Sequence, residues 1–97
     1  MNIIVFKAIQ ERHVIEFHYE GRKRVVEPFC YGISSAGHDI LRGFQIRGLS
    51  QSGKLGWRLF RLDRMNFINS LDEHFEGIRK DYNPNDPDMT KIFNRIF

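Results

Sequence analysis

The feature that most constrains this chain is a pair of strand-like stretches joined by a glycine turn. Residues 14–19 alternate, with Ile15, Phe17 and Tyr19 on one face and Val14, Glu16 and His18 on the other, which is strand periodicity. Glu20-Gly21-Arg22-Lys23 follows as a turn in which Gly21 can take a positive φ. Residues 24–33 are β-branched and aromatic and predict a second strand. Pro28 requires that strand to lie at an edge or to bend there, because proline has no N–H for the ladder. Ser34 to Gly37 makes the next turn. Residues 39–47 alternate again with Ile40, Phe44 and Ile46 on one face, and Arg42, which interrupts that face, needs a partner or a route to water. A loop bounded by Gly48 and Gly56 leads to a fourth strand at 57–61. Leu62-Asp63-Arg64 breaks the alternation as a short turn, and 65–71 is a fifth strand with Met65 and Phe67 facing one way. Five short strands closely joined by turns predict a small antiparallel barrel.

Short helices are expected at both ends. In residues 2–12, Ile3, Phe6 and Ile9 fall near one helical stripe and Asn2 is placed to cap it, although the β-branched start leaves a strand as the alternative. Asp81 to Asp88, with Pro84 and Pro87, is irregular. Asp88 can cap a last helix over 89–96, with Ile92, Phe93 and Ile96 as its apolar face. The fold class is thus mainly β (α+β), with a barrel domain over 1–72 and a C-terminal extension over 73–97. That last helix is expected to dock on the barrel or on a second subunit.

A chain of 97 residues is one small domain, too short for separate cofactor and substrate domains. It buries only about two thirds of its unfolded surface, so its thirteen aromatic residues must supply much of the core, and a spacious buried active site is not expected. The longest early apolar run, Ile3 to Phe6, is far below the roughly 20 residues that span a bilayer. A single cysteine, Cys30, excludes an intramolecular disulfide, and the expected setting is a reducing cytoplasm, away from membranes. Charge is uneven. Residues 1–64 carry eleven Lys and Arg against six Asp and Glu, whereas 65–97 carry four against six, making a basic body with a mildly acidic extension.

Little here supports catalysis. None of His13, His18, His38 and His74 stands at metal-ligand spacing to another or to Cys30, and no glycine-rich phosphate loop is present. Cys30, between Phe29 and Tyr31, reads as a small buried strand residue. Asp72, Glu73 and Glu76 read as a solvated face. No catalytic residue, metal site or cofactor is therefore expected. The dense constellation is Trp57-Arg58-Leu59-Phe60-Arg61-Leu62-Asp63-Arg64, three arginines in seven residues among apolar neighbours. Guanidinium groups grip phosphate or carboxylate bidentately and stack on bases. On a straight strand Arg58 and Arg61 point to opposite faces, and Asp63 is an equally good structural partner for a neighbouring arginine.

The order of these elements, with Ala8-Ile9, Ile15-x-Phe17-x-Tyr19, Arg24-x-Val26-x-Pro28, Gly37 with Leu41, and Arg58-x-Phe60-Arg61-Leu62-Asp63-Arg64 before an apolar Met65, resembles the bacterial WYL domain over roughly residues 5–70. The tail, with Tyr82-Asn83 and Met89 to Ile96, is similar to the C-terminal extension of some members. The Trp-Tyr-Leu triplet of the family aligns with Asp39-Ile40-Leu41, so only the leucine survives and Ile40 lacks the tyrosine hydroxyl.

The resemblance implies a five-stranded SH3-like, Sm-like barrel with a short helical joint at Leu62 to Arg64. It also implies a ligand-sensing role in transcriptional regulation or phage defence, with nucleic acid, single strands above all, or a nucleotide as ligand. The barrel begins by residue 14, which leaves no room for the helix-turn-helix that usually precedes it. The module is thus expected to act alone, as a homodimer, or on a regulator protein. Carried over by position, the candidate ligand-binding residues are Tyr19, Arg24, Arg58, Arg61 and Arg64, to which the strand pattern adds Arg42. Tyr19 would stack a base, or equally stand as a core tyrosine with its hydroxyl at the rim. The competing reading is a protein-interaction or dimerisation module whose arginines are structural.

Overall fold

The computed structural model describes all 97 residues. Its N-terminal helix, α1 (Ile3–Glu11), begins at Asn2, whose Oδ1 accepts the Val5 N–H at 3.0 Å. It ends at Arg12 in the left-handed conformation. The buried positions are Val5, Ala8 and Ile9, while Ile3 is largely exposed. The stripe is thus rotated from the one centred on Ile3, Phe6 and Ile9, because Val5 and Ala8 pack at the i, i+3 spacing over the sheet.

Six antiparallel strands follow, and the sheet runs β4-β3-β2-β1-β5 with β6 on β2. Strands β1 (His13–Tyr19) and β2 (Arg22–Ile33) form a hairpin in which Tyr19 faces Arg22. The two residues between them, Glu20 and Gly21, both have positive φ (54° and 72°), as a type I′ turn demands. Strand β2 is central and bends at its proline. Pro28 pairs with Gly43 and Cys30 with Arg42, so Phe29 is an extra residue in the ladder to β3 (Asp39–Gly48). A second bulge lies at Ile46. In β3 the alternation itself is unbroken, but the buried face is that of Leu41, Gly43 and Gln45, while Phe44 and Ile46 are only half-buried. Strand β4 (Gly56–Arg61) pairs with β3, and a 3-10 turn at Leu62–Arg64 leads to β5 (Asn66–His74) on the far side of β1. β4 and β5 do not pair with each other, so the ladder stays open between them. In β5 a bulge puts Phe67 at φ 55° and leaves its ring largely exposed, so it does not share a buried face with Met65.

The C-terminal helix expected over 89–96 is not formed. Residues Lys91–Arg95 make a sixth strand, β6, antiparallel to the distal half of β2. The reason is non-local. Pairing of β1 with β2 ends at Ile15 opposite Val26, and Pro28, two positions on, offers no N–H. The distal edge of β2 would then keep unpaired backbone groups, and β6 satisfies them. Flanking bonds run from Thr90 N–H to the Ile33 carbonyl and from Ile96 N–H to the Phe29 carbonyl, each 2.8 Å. Gly32 permits this approach, because a Cβ there would collide with the Lys91 carbonyl oxygen.

The main core joins α1 to the sheet through Val5, Ile9, Ile15, Phe17, Phe29 and Phe60, among others. Cys30, Ile40 and Met89 form a small second cluster beneath β6, so Ile40 is packed under the tail. The whole measures 29 × 28 × 25 Å. No helix is long and apolar enough to cross a membrane.

Candidate anion-binding site

Where the β1–β2 turn, β3 and β4 meet, a cleft of about 570 Å³ is lined by Tyr19, Glu20, Arg24, Arg42, Arg58 and Phe60, with Ser52 and Trp57 at its margins. Four of the six residues expected at a ligand site therefore come together. Arg61 and Arg64 do not line it.

Arg24 sits on β2 and is only 3% exposed. Its Nη1 donates to Gln45 Oε1 at 3.3 Å, and its Nη2 donates to the Tyr19 carbonyl at 3.5 Å and to Glu20 Oε1 at 3.3 Å. Its Nε is buried with no partner. The guanidinium also lies over the rings of Tyr19 and Phe60, 5.5 and 5.8 Å from their centroids. Burial pushes its pKa below the ordinary arginine value. Glu20 opposes that shift and the positive charge of Arg58 adds to it, which marks the two arginines as neighbours.

Arg58 projects from β4 opposite Gly43, where no side chain competes for space. Its Nη2 donates to Ser50 Oγ at 3.1 Å, to Ser52 Oγ at 2.8 Å and to the Lys54 carbonyl, so the 49–55 loop is folded around it. Its Nε is the second buried donor without a partner in the chain. None of the seven ion pairs involves Arg58. The cleft thus holds two close guanidinium groups, and their only carboxylate is Glu20, whose side chain is 46% exposed.

The other candidates are tied elsewhere. Arg42 finds its partner in the tail. Its Nε and Nη2 bond the buried Asp86 at 2.8 and 3.3 Å, and Nη2 also bonds Asp88. Asp88 therefore clamps β3 and does not cap a helix. The Asp86 hydrogen bond holds the Arg42 pKa above its ordinary value against the opposing effect of burial. Arg61 is bidentate to Asp63 at 3.1 and 2.7 Å, the structural pairing that its neighbour in sequence allowed. Arg64 is exposed at the end of the 3-10 turn. Tyr19 lines the cleft, but its ring is packed edge-on against Phe17 and Phe60 and its hydroxyl accepts the Arg61 N–H at 3.1 Å. With 9% of the residue exposed, little of its face is open to a base, and it serves to seat Arg24.

The pattern reading passed over Gln45, Ser50 and Ser52. Gln45 is fully buried and donates to the Arg47 and Leu49 carbonyls while holding Arg24. The spacing Ser50-x-Ser52 ahead of Arg58 was the available signal, two hydroxyls in a glycine-bounded loop facing the first residues of a strand. With two neighbouring cations set against one half-exposed carboxylate, and the Ser52 hydroxyl beside them, the cleft can bind a multivalent oxyanion such as phosphate. Comparison with known protein families, with curated proteins and with solved structures finds no match for this chain.

Proposed function

We propose that this chain is a ligand-sensing regulatory module that takes the phosphate of a single-stranded nucleic acid or a nucleotide in the Arg24–Arg58 cleft. The observation that carries this reading is the surplus of positive charge there. Arg24 is nine-tenths buried with an unpartnered Nε, and Arg58 beside it has no carboxylate at all. Burying a cation without full pairing costs stability, and a bound anion offsets that cost. The cleft is too small for a duplex but matches one or two nucleotides. The bent six-stranded sheet with its 3-10 joint is, in this reading, a WYL-type SH3-like barrel with β6 added along its central strand. Regulation of transcription or of phage defence is the setting that this resemblance suggests, in the cytoplasm and without catalysis.

The test is fluorescence anisotropy with labelled single-stranded DNA and RNA across a salt series. Phosphate binding makes log affinity fall with log salt by about 0.7 per contacted phosphate. Arg58→Ala is expected to weaken binding about tenfold or more, the worth of a charge-assisted hydrogen bond, and to flatten the slope. Arg61→Ala, which only breaks the Asp63 pair, should change neither. Absence of binding at low salt, or equal losses in both variants, would overturn the proposal in favour of an interaction module with structural arginines.

A further inference from the structure

A second cavity, of about 340 Å³, shares Arg42 and Trp57 with the cleft and is otherwise lined by residues of the tail, chiefly Asp81, Tyr82, Asn83 and Asp86. Its wall is aromatic and fixed. The rings of Trp57 and Tyr82 lie nearly parallel (17°) with centroids 5.8 Å apart, too close to admit a base between them but presenting a flat apolar surface. The polar atoms of both rings are committed. Trp57 Nε1 donates to the Lys80 carbonyl at 2.9 Å, and the Tyr82 hydroxyl is bound to the Phe29 and Ile96 carbonyls. Asp86 is taken by Arg42.

Two groups remain available. The Asp81 carboxylate is exposed and belongs to none of the ion pairs. Asn83 accepts the Asn85 N–H through Oδ1 at 2.9 Å, which leaves its amide NH2 to donate. The cavity thus offers a flat wall, a carboxylate that accepts through both oxygens, and one amide NH2 as donor. Guanine is the base complementary to that set, because its N1–H and N2–H donors are adjacent and its O6 accepts beside them. Adenine and cytosine place a ring acceptor next to their amino group, and uracil has one N–H between two carbonyls, so each would turn an acceptor toward the carboxylate.

We infer that this cavity is a base subsite and that the module's ligand is a guanosine phosphate, or a strand presenting guanine, with Asp81 reading the base and Arg24 and Arg58 holding the phosphate. The inference rests on the anion reading of the neighbouring cleft. Trp57, the single tryptophan of the chain, stands at the junction and reports occupancy directly. The experiment titrates Trp57 fluorescence of the full chain with GMP, AMP, CMP, UMP and ribose 5-phosphate. GMP should bind roughly tenfold to a hundredfold more tightly than the other nucleotides, the discrimination of a good bidentate contact. In Asp81→Asn that preference should vanish while ribose 5-phosphate binds as before. Asparagine suits this variant because residue 81 has φ 69°, a conformation it tolerates. If all four nucleotides and ribose 5-phosphate bind alike, the base subsite is refuted and the anion site stands. If ribose 5-phosphate and the nucleotides all fail to bind, both readings fall.

Discussion

Arg24→Met is expected to make the protein more stable and less able to bind. The native guanidinium is 3% exposed, its three hydrogen bonds are 3.3–3.5 Å long, and its Nε has no partner. An orphaned buried donor costs about 1–3 kcal/mol, and desolvating the cation costs several more where burial is complete. The compensation is weak. Glu20 is half-exposed, and such a pair contributes at most about 1 kcal/mol. Tyr19 and Phe60 lie near the outer limit of about 6 Å for a cation–π contact. Methionine retains the apolar stem packing and removes the charge, at the cost of leaving Gln45 Oε1 without its donor, about 1 kcal/mol. Because Arg24 lines an open cleft, its desolvation is partial, and the net gain is about 1–2 kcal/mol, a rise in Tm of about 5–10 °C for a domain of this size. Thermal melts followed by circular dichroism, with anisotropy on the same samples, check both halves. A fall in Tm of several degrees would show Arg24 to be a structural keystone. A higher Tm with undiminished binding would remove it from the site.

Burial tends to raise the Asp86 pKa, but the Arg42 hydrogen bonds and charge and the Asp88 N–H outweigh it and hold it below the usual carboxylate value. Its contribution to stability is therefore complete above the unfolded value near 4 and is lost as pH falls through the lower folded value. A Tm–pH series should show that loss in the wild type and a flatter acid limb in Asp86→Asn. Gly32→Ala, whose Cβ meets the Lys91 carbonyl and Met89 Sδ, should displace β6 and cost about 1–3 kcal/mol in urea denaturation, with faster proteolysis of residues 84–97. Burial raises the Cys30 thiol to about 11, so a disulfide reagent at mildly alkaline pH should label it only at the rate of unfolding, and labelling within seconds in native buffer would refute its burial. Phe67→Asn should raise Tm by a few degrees, since it relieves a left-handed backbone at an exposed phenyl ring, and a drop would mean that the ring's edge contact with His18 matters more.

What was legible in the sequence is what short-range chemistry decides. The β1–β2 hairpin follows from alternation around Glu20-Gly21, the bend of β2 from Pro28, and the start of α1 from Asn2. The errors share one origin. The Ile92, Phe93, Ile96 spacing suits a helix as well as a strand. It is the unpaired distal edge of β2, some sixty residues earlier, that selects the strand. The bulge in β5 likewise turns Phe67 away from the face of Met65, and a bulge is invisible to a period of two.

The same distinction sorts the arginines. A residue type announces the capacity to bind an anion, but only the leftover charge after folding makes a site. Arg61 is neutralised by Asp63 two positions away, so its structural role was open to inspection in the sequence. Arg42 is neutralised by Asp86 and Asp88, which lie 44 and 46 positions away and become partners only because β6 draws the tail back across β3. Set those pairs aside and the cleft keeps two cations, Arg24 in β2 and Arg58 in β4, against the single half-exposed carboxylate of Glu20, the two arginines separated in sequence by the whole of β3. The tail that cancels the charge of Arg42 also delivers Tyr82 against Trp57 and Asp81 to the rim. The C-terminal extension is therefore part of the candidate site, because its carboxylates decide which arginines stay free and its aromatic ring completes the wall beside them.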